Sequence, residues 1–330
     1  MKQKDTWIKW IFAAGLCIFV LWFTADLWKM SNIKQKDDLT GPYLTFIAPL
    51  ANKEFWGIAA TGACEEGERL GANVKCIGFW EWNEEKYIDA IKSAIYAGVD
   101  GIVMAGLDGN EELQSTIQKA ESEGIEVVLI DSDIPDSGRK GYVGTDNYGS
   151  GKMAGEELKE ASDEQAVIAV VMSSKEAVNQ KERLKGFEDA IKDCEKMRIE
   201  IIVEGDSNQT ISKERILNML HEHSDVDSFF CTEGYAALSV AQVIEDAQGK
   251  YDDFHVVTFA MGDQISHYIR EGIIDATIQQ NPYEMGAKAV DKLILDNLPD
   301  IYYTENESIK KDNIEDMMIQ EGDNVKWHLY

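Results

Sequence analysis

Residues able to grip a small molecule recur where apolar runs of this chain end. Asn52, Phe55 and Trp56 follow YLTFIAPL. Asp131 closes IEVVLID and Ser132 follows it. Asn208 comes after RIEIIVEG, Glu233 after SFFCT, Gln280 closes DATIQQ, and Arg183 stands in KERLKGF downstream of AVIAVVMS. Amides, carboxylates, a guanidinium and aromatic rings accept, donate and stack, which is the chemistry of reversible binding. The constellations that make and break bonds are absent. There is no Gly-rich phosphate loop and no nucleophile elbow. None of His221, His223, His255, His267 and His328 falls in a catalytic motif. His221 and His223 end one helix, where a contact with the helix dipole accounts for them. Cys17, Cys64, Cys76, Cys194 and Cys231 form no CxxC pair and have no His at metal-ligand spacing, so neither zinc nor any other cofactor is implied. Cys64 and Cys76 sit on consecutive elements, which leaves both a disulfide and two free thiols open.

The elements that must position these residues alternate in type. After YLTFIAPL comes a helix near Phe55 to Leu70, then NVKCIGF, a helix near Asn83 to Ala97, DGIVMAG, a helix from Glu111 to Glu123, and IEVVLID. A second series follows GYVGTDN. Its helices cover Gly149 to Ala161, Asn179 to Cys194, Ser212 to Ser224, Tyr235 to Ala247 and Asp263 to Glu271, separated by AVIAVVMS, RIEIIVEG, SFFCTEG and HVVTFAMG, with DATIQQ last. Short apolar strands alternating with helices of ten to sixteen residues predict βαβ units and parallel sheets covered by helices. Two such series predict two α/β lobes. Open parallel sheets carry their ligand residues on the loops after the carboxyl ends of strands. With two sheets facing each other, those loops converge on one cleft.

The formal net charge of -28 disfavours nucleic acid as a partner, because phosphate neutralisation needs clustered cations. Acidity at this level is a solubility feature of an exported domain. At the N-terminus, WIFAAGLCIFVLWFTA is an uncharged run preceded by Lys2, Lys4 and Lys9. It would span roughly 24 Å as a helix, short of the ~30 Å hydrocarbon core, so a signal peptide and a membrane anchor both fit its length. Its flanks favour the anchor. Cleavage after Ala25 would put bulky Phe23 where a small residue is wanted, and Trp7, Trp10, Trp22 and Trp28 border the run as interfacial aromatics do. The expected organisation is a cytoplasmic N-terminus over 1–9, a single transmembrane helix over 10–28, a polar stalk over 29–41 and an α/β body over 42–330. Lys29, Lys34 and Lys36 offset the lysines before the run, so charge alone does not orient it.

The markers NKEFW, AGVDGIVM, GIEVVLID, GTDNYGSGKMAG, KERLKGFEDAI, HVVTFAMG and DATIQQNPYEMGAKAVDKLI, in this order, resemble the type I periplasmic binding proteins of the ribose/galactose kind. The likeness runs from Tyr43 to about Asn324 and is similar to membrane-anchored Gram-positive forms. It implies a two-lobed fold with three crossovers, lobe 1 about 42–145 and 281–307, lobe 2 about 146–280 and 308–330. It implies an extracellular domain on the cell membrane that clamps a sugar or polyol and serves a sensor histidine kinase or an ABC permease. By the same resemblance Phe55 and Trp56 sandwich a sugar ring, Asp131 accepts paired hydroxyls, Arg183 donates from the second lobe, and Gln280 is a cleft amide. Asp146 and Asn147 shape the crossover. Two positions depart from the pattern: Glu233 and Gly234 stand where relatives often have Asn-Asp, and Ala260 where they often have Asp. Two carboxylates near the cleft keep a second reading open, a non-sugar ligand such as a cation or signalling molecule. Trp80 and Trp82 would reach the cleft rim or serve structure.

Overall fold

Residue alternation along each strand builds both cores. In β3 (Gly101–Ala105), Ile102 and Met104 face one side of the sheet while Val103 and Ala105 face the other, and all four are buried. The same split occurs in β6 (Ala166–Met172), with Ile168 and Val170 against Ala169 and Val171. Strands buried on both faces read as continuous apolar runs, which is why they stand out in the sequence. The computed structural model describes residues 41–317, apart from 52, 108, 176, 207, 260 and 261, together with 327–329.

The first sheet gathers β3 with β1 (Tyr43–Ile47), β2 (Asn73–Gly78), β4 (Glu126–Ile130), β5 (Gly141–Thr145), β11 (Ile301–Thr304) and β13 (Trp327–Leu329) in the order β11-β5-β4-β3-β1-β2-β13. All its pairings are parallel. Helices α1 (Ile58–Leu70), α2 (Glu84–Tyr96) and α3 (Glu111–Ser122) connect its strands, and α9 (Pro282–Ile294) packs beside α1. The second sheet runs β12-β10-β9-β8-β6-β7, from β6, β7 (Met197–Glu204), β8 (Ser228–Cys231), β9 (His255–Thr258), β10 (Ala276–Gln279) and β12 (Glu307–Lys310), with only β12 antiparallel to its neighbour. It is dressed by α4 (Asn147–Ala161), α5 (Val178–Ile191), α6 (Gln209–Glu222), α7 (Gly234–Asp246) and α8 (Asp263–Glu271), and α10 (Ile314–Met317) follows β12.

Helix starts lie close to the strand ends because polar caps set them there. Asn83, Asn110, Asp146, Asn208 and Asn281 each accept a backbone N–H from the first turn of the following helix. A cap of this type contributes about 1 kcal/mol. These caps correct the expected starts of α4 and α6, which begin at Asn147 and Gln209 rather than at Gly149 and Ser212.

The chain passes between the sheets after β5, after β10 and between β11 and β12. A further passage corrects the expected lobe boundaries. Glu307 belongs to the second sheet, and Trp327–Leu329 pairs in parallel with Cys76–Gly78 of β2, so the end of the chain returns to the first lobe. The fold therefore has four passages where three were expected. β11, β12 and β13 are three or four residues long, too short to show a period. The expected cytoplasmic N-terminus, the transmembrane segment and all of the stalk but Gly41 lie outside the described residues. Among the described residues no helix is long and apolar enough to cross a membrane.

Candidate functional site

On the first lobe, a π-helical turn over Lys53–Gly57 leads into α1 and carries two adjacent aromatic rings. Phe55 and Trp56 meet edge to face, with centroids 5.0 Å apart and planes at 75°. Trp56 is buried in the first-lobe core, whereas Phe55 is half-buried beside it. Both rings thus pack with the core, Trp56 within it and Phe55 against it, and both border the cleft. Such irregular turns are frequent at functional sites. At the end of β4, Asp131 adopts φ +65°, the left-handed region that Asp tolerates better than most residues. Its carbonyl accepts the Tyr142 hydroxyl at 2.7 Å, and Ser132 Oγ donates to its Oδ2 at 3.3 Å.

On the second lobe, Arg183 projects from α5 and is buried. Its Nε donates to Asn147 Oδ1 at 2.9 Å and its Nη1 to the Thr232 carbonyl at 2.8 Å. The guanidinium carbon lies 4.2 Å from the centroid of the Phe259 ring. The fork is held on two sides and stacked on a third, so its remaining donors point with little freedom. Glu233 caps α7, its two carboxylate oxygens accepting the Tyr235 and Ala236 N–H groups at 2.8 and 2.7 Å. Gln280, just beyond β10, donates Nε2 to Thr145 Oγ1 at 2.6 Å and so ties one crossover to another.

Tight helix pairing holds these groups in place. Gly62 and Gly286 let α1 and α9 touch backbone to backbone: a Cβ on Gly62 would strike the Tyr283 carbonyl, and one on Gly286 the Ala59 carbonyl. In the second lobe Gly151 packs on the Arg183 carbonyl and Gly186 on the Tyr148 carbonyl in the same way. Phe55 and Trp56 thus lead into one closely packed helix pair, and Arg183 stands on the other.

Phe55, Trp56, Asp131, Arg183, Glu233 and Gln280 line a single cavity of about 340 Å³, together with Asn179, Gln180 and Tyr235. This volume is within the roughly 300–1,000 Å³ span of small-molecule pockets. Two expected positions among the described residues are not in that lining. Ser132 supports Asp131 from behind. Asn208 uses its side chain to cap α6 through Ile211 N at 3.1 Å. Asn52 lies outside the described residues, as does Ala260. Trp80 and Trp82 also do not line the cavity, and they are 73% and 45% exposed. Asn147 acts on the site through Arg183. Asn179 and Gln180 fall in the stretch after β6 that the strand-end rule points to, and their spacing four and three residues before Arg183 puts them on its face of the helix. Gln180 serves structure, since its Oε1 accepts Ser173 N and Thr232 Oγ1, both at 2.8 Å.

Burial dominates the electrostatics. It pushes the Asp131 carboxyl above the ordinary carboxylate range, against the opposing pull of Arg183 and the Ser132 hydroxyl. Burial raises Glu233 likewise, opposed by its two backbone donors and Arg183. It brings Arg183 down to about 10, opposed by Asp131, Tyr142 and Glu233, so the guanidinium stays charged at neutral pH. A half-desolvated carboxylate accepts hydroxyl protons strongly, and a desolvated guanidinium donates strongly. Among the described residues no group of three or more His, Cys, Asp or Glu is placed to hold a metal ion.

A family model described as a periplasmic binding protein domain matches residues 44–295. The chain belongs to this family. It is of the ribose/galactose type, a binding protein and not an enzyme. The ribose import binding protein RbsB of Salmonella typhimurium is 23% identical over 248 residues, covering 75% of this chain and 82% of the relative. Among solved structures, GanP, a glucose-galactose binding protein from Geobacillus stearothermophilus, superposes with a TM-score of 0.77 at 31% identity, over 83% of this binding protein and 98% of GanP. XylFII in its complex with LytSN gives 0.73 at 29% identity, over 82% and 98%.

Proposed function

We propose that this binding protein is tethered by residues 10–28 with its body outside the cell membrane, and that it clamps a neutral sugar or polyol between its lobes. The observation that carries the reading is the two-sided cleft. A carboxylate at Asp131 and aromatic rings at Phe55 and Trp56 come from one lobe, and a fixed guanidinium at Arg183 comes from the other. Sugar hydroxyls bridge such an acceptor and donor, and the apolar C–H faces of the ring pack on the aromatics. Names of relatives that bind ribose, glucose and galactose support the class. Full contact needs both lobes, so ligand shifts an open-closed equilibrium and the closed outer surface is what a membrane partner reads. An ABC permease is supported by relatives named for import. A sensor kinase is supported by the solved assembly of XylFII with a second protein and by the shortness of the 29–41 stalk, which restricts reach. Tethering raises the effective concentration at either partner.

A cation or other non-sugar ligand is the second reading, motivated by the carboxylates of Asp131 and Glu233. Thermal shift separates the two. Pentoses and hexoses, including ribose, arabinose, glucose and galactose, are expected to raise the melting temperature, whereas amino acids and divalent cations are not. Stabilisation by cations alone would overturn the sugar assignment.

Protonation supplies a further test. Sugar hydroxyls donate to ionised Asp131, so affinity falls on acidification, beginning above the ordinary carboxylate pKa because the folded value is raised. Stability of the empty protein runs the other way: the contribution of Asp131 is fully present below its unfolded pKa and is lost as pH rises through the folded value. Asp131→Asn, which tolerates the left-handed backbone, is expected to weaken sugar binding about tenfold or more at neutral pH and to flatten this pH profile. Calorimetric titration from neutral to mildly acidic pH reads both. A wild-type slope retained in the variant would assign the titration elsewhere.

A further inference from the structure

In the first lobe, Cys64 on α1 and Cys76 on β2 place their sulfurs 3.2 Å apart, and both are free thiols. The two differ in access. Cys76 is buried in the core between α1 and the sheet, while Cys64 is half-buried and packs over it. They differ in reactivity in the same sense. The hydrogen bond from Cys76 lowers the Cys64 thiol, and that bond together with burial raises Cys76 well above its ordinary value. The reachable sulfur is thus the one that more readily becomes a thiolate, with its partner already in line behind it.

We propose that Cys64 and Cys76 form a dithiol site that closes to a disulfide when the protein meets a small-molecule disulfide oxidant, stapling α1 to β2. The Cys64 thiolate attacks the oxidant's disulfide, forming a mixed disulfide and releasing one thiol. Cys76 then loses its proton and attacks the Cys64 sulfur, releasing the second thiol. The protein gives up two electrons and two protons, and one oxidant disulfide becomes two thiols. The bond closes a short loop through the α1–β2 turn and restrains the unfolded chain. It also fixes the helix whose preceding turn carries Phe55 and Trp56. The chemistry is independent of what the cleft binds.

The test treats the full-length protein with glutathione disulfide, then alkylates, digests with trypsin and identifies peptides by mass spectrometry. Cleavage at Arg69 and Lys75 puts the two cysteines on separate peptides, so their bond appears as a linked pair short of two hydrogens. The expected result is that linked pair, with Cys194 and Cys231 still alkylated after unfolding as internal controls, and a melting temperature about 5 °C higher than in the reduced protein. Cys64→Ser is expected to abolish both changes. Cys76→Ser is expected to stop at a glutathione adduct on Cys64, and if that variant does not fold, Cys64→Ser carries the test alone. Both thiols remaining alkylatable, a stable glutathione adduct on wild-type Cys64, or an unchanged melting temperature would each overturn the proposal.

Discussion

Arg183→Ala is expected to weaken sugar binding about 100-fold or more, because among the described residues it is the one cation lining the cleft, and its loss leaves two acceptors without their donor. Asn147 Oδ1 and the Thr232 carbonyl lose their hydrogen bonds, and Asp131 and Glu233 lose the charge that opposes their desolvation. Both carboxyls then rise further. Arg183→Lys keeps the charge but not the planar fork, so its affinity should fall between those of wild type and alanine. Isothermal titration with the sugar that gives the largest thermal shift measures the series. Alanine and wild-type affinities within threefold of each other would remove Arg183 from the ligand contacts.

Trp56→Ala acts on both folding and binding, since this ring belongs to the core cluster that also holds Phe46, Ala60 and Met285. Truncating a buried Trp costs about 3–5 kcal/mol, enough to lower the melting temperature by several degrees. Binding should also weaken, through loss of a wall of the cleft and of the edge-to-face support beneath Phe55. Phe55→Ala separates the two effects, because the half-buried ring should cost less stability for a comparable loss of affinity. Denaturant melts with and without sugar read both quantities. A Trp56→Ala protein of wild-type stability would contradict the packing described for the first lobe.

Most of the fold was legible because both sheets are covered on both faces. Runs such as GIVMA and AVIAVVM have no polar alternation to confuse them, and helices of ten or more residues punctuate them with Asn and Asp caps. The late strands β11, β12 and β13 escaped because a strand of three or four residues at a sheet edge is defined by its neighbours and not by its own pattern. The same reason explains the misplaced tail, whose return to β2 depends on pairing. Among the expected site residues, Asp131, Glu233 and Gln280 were legible as polar types just past strand ends, whereas Phe55 and Trp56 on the turn before α1 and Arg183 inside α5 were read through the resemblance; all six line the one cavity. Asn208 illustrates the limit: an Asn after a strand serves equally well as a helix cap, and here capping won. Asn147 was read as shaping the crossover, and its further part in orienting Arg183 depends on a bond to a residue 36 positions along the chain.

Hydrogen-deuterium exchange on the full-length protein, with and without saturating sugar, tests the central claim most directly, because it reports both lobes in one measurement. The account predicts simultaneous protection of the Lys53–Gly57 turn, the Asp131–Ser132 loop, the start of α5 ahead of Arg183, and the Glu233–Tyr235 cap, with the crossovers near Thr145 and Gln280 changing alongside them. Protection confined to one lobe, or located away from these segments while sugar is demonstrably bound, would contradict a ligand clamped between Asp131 and Arg183.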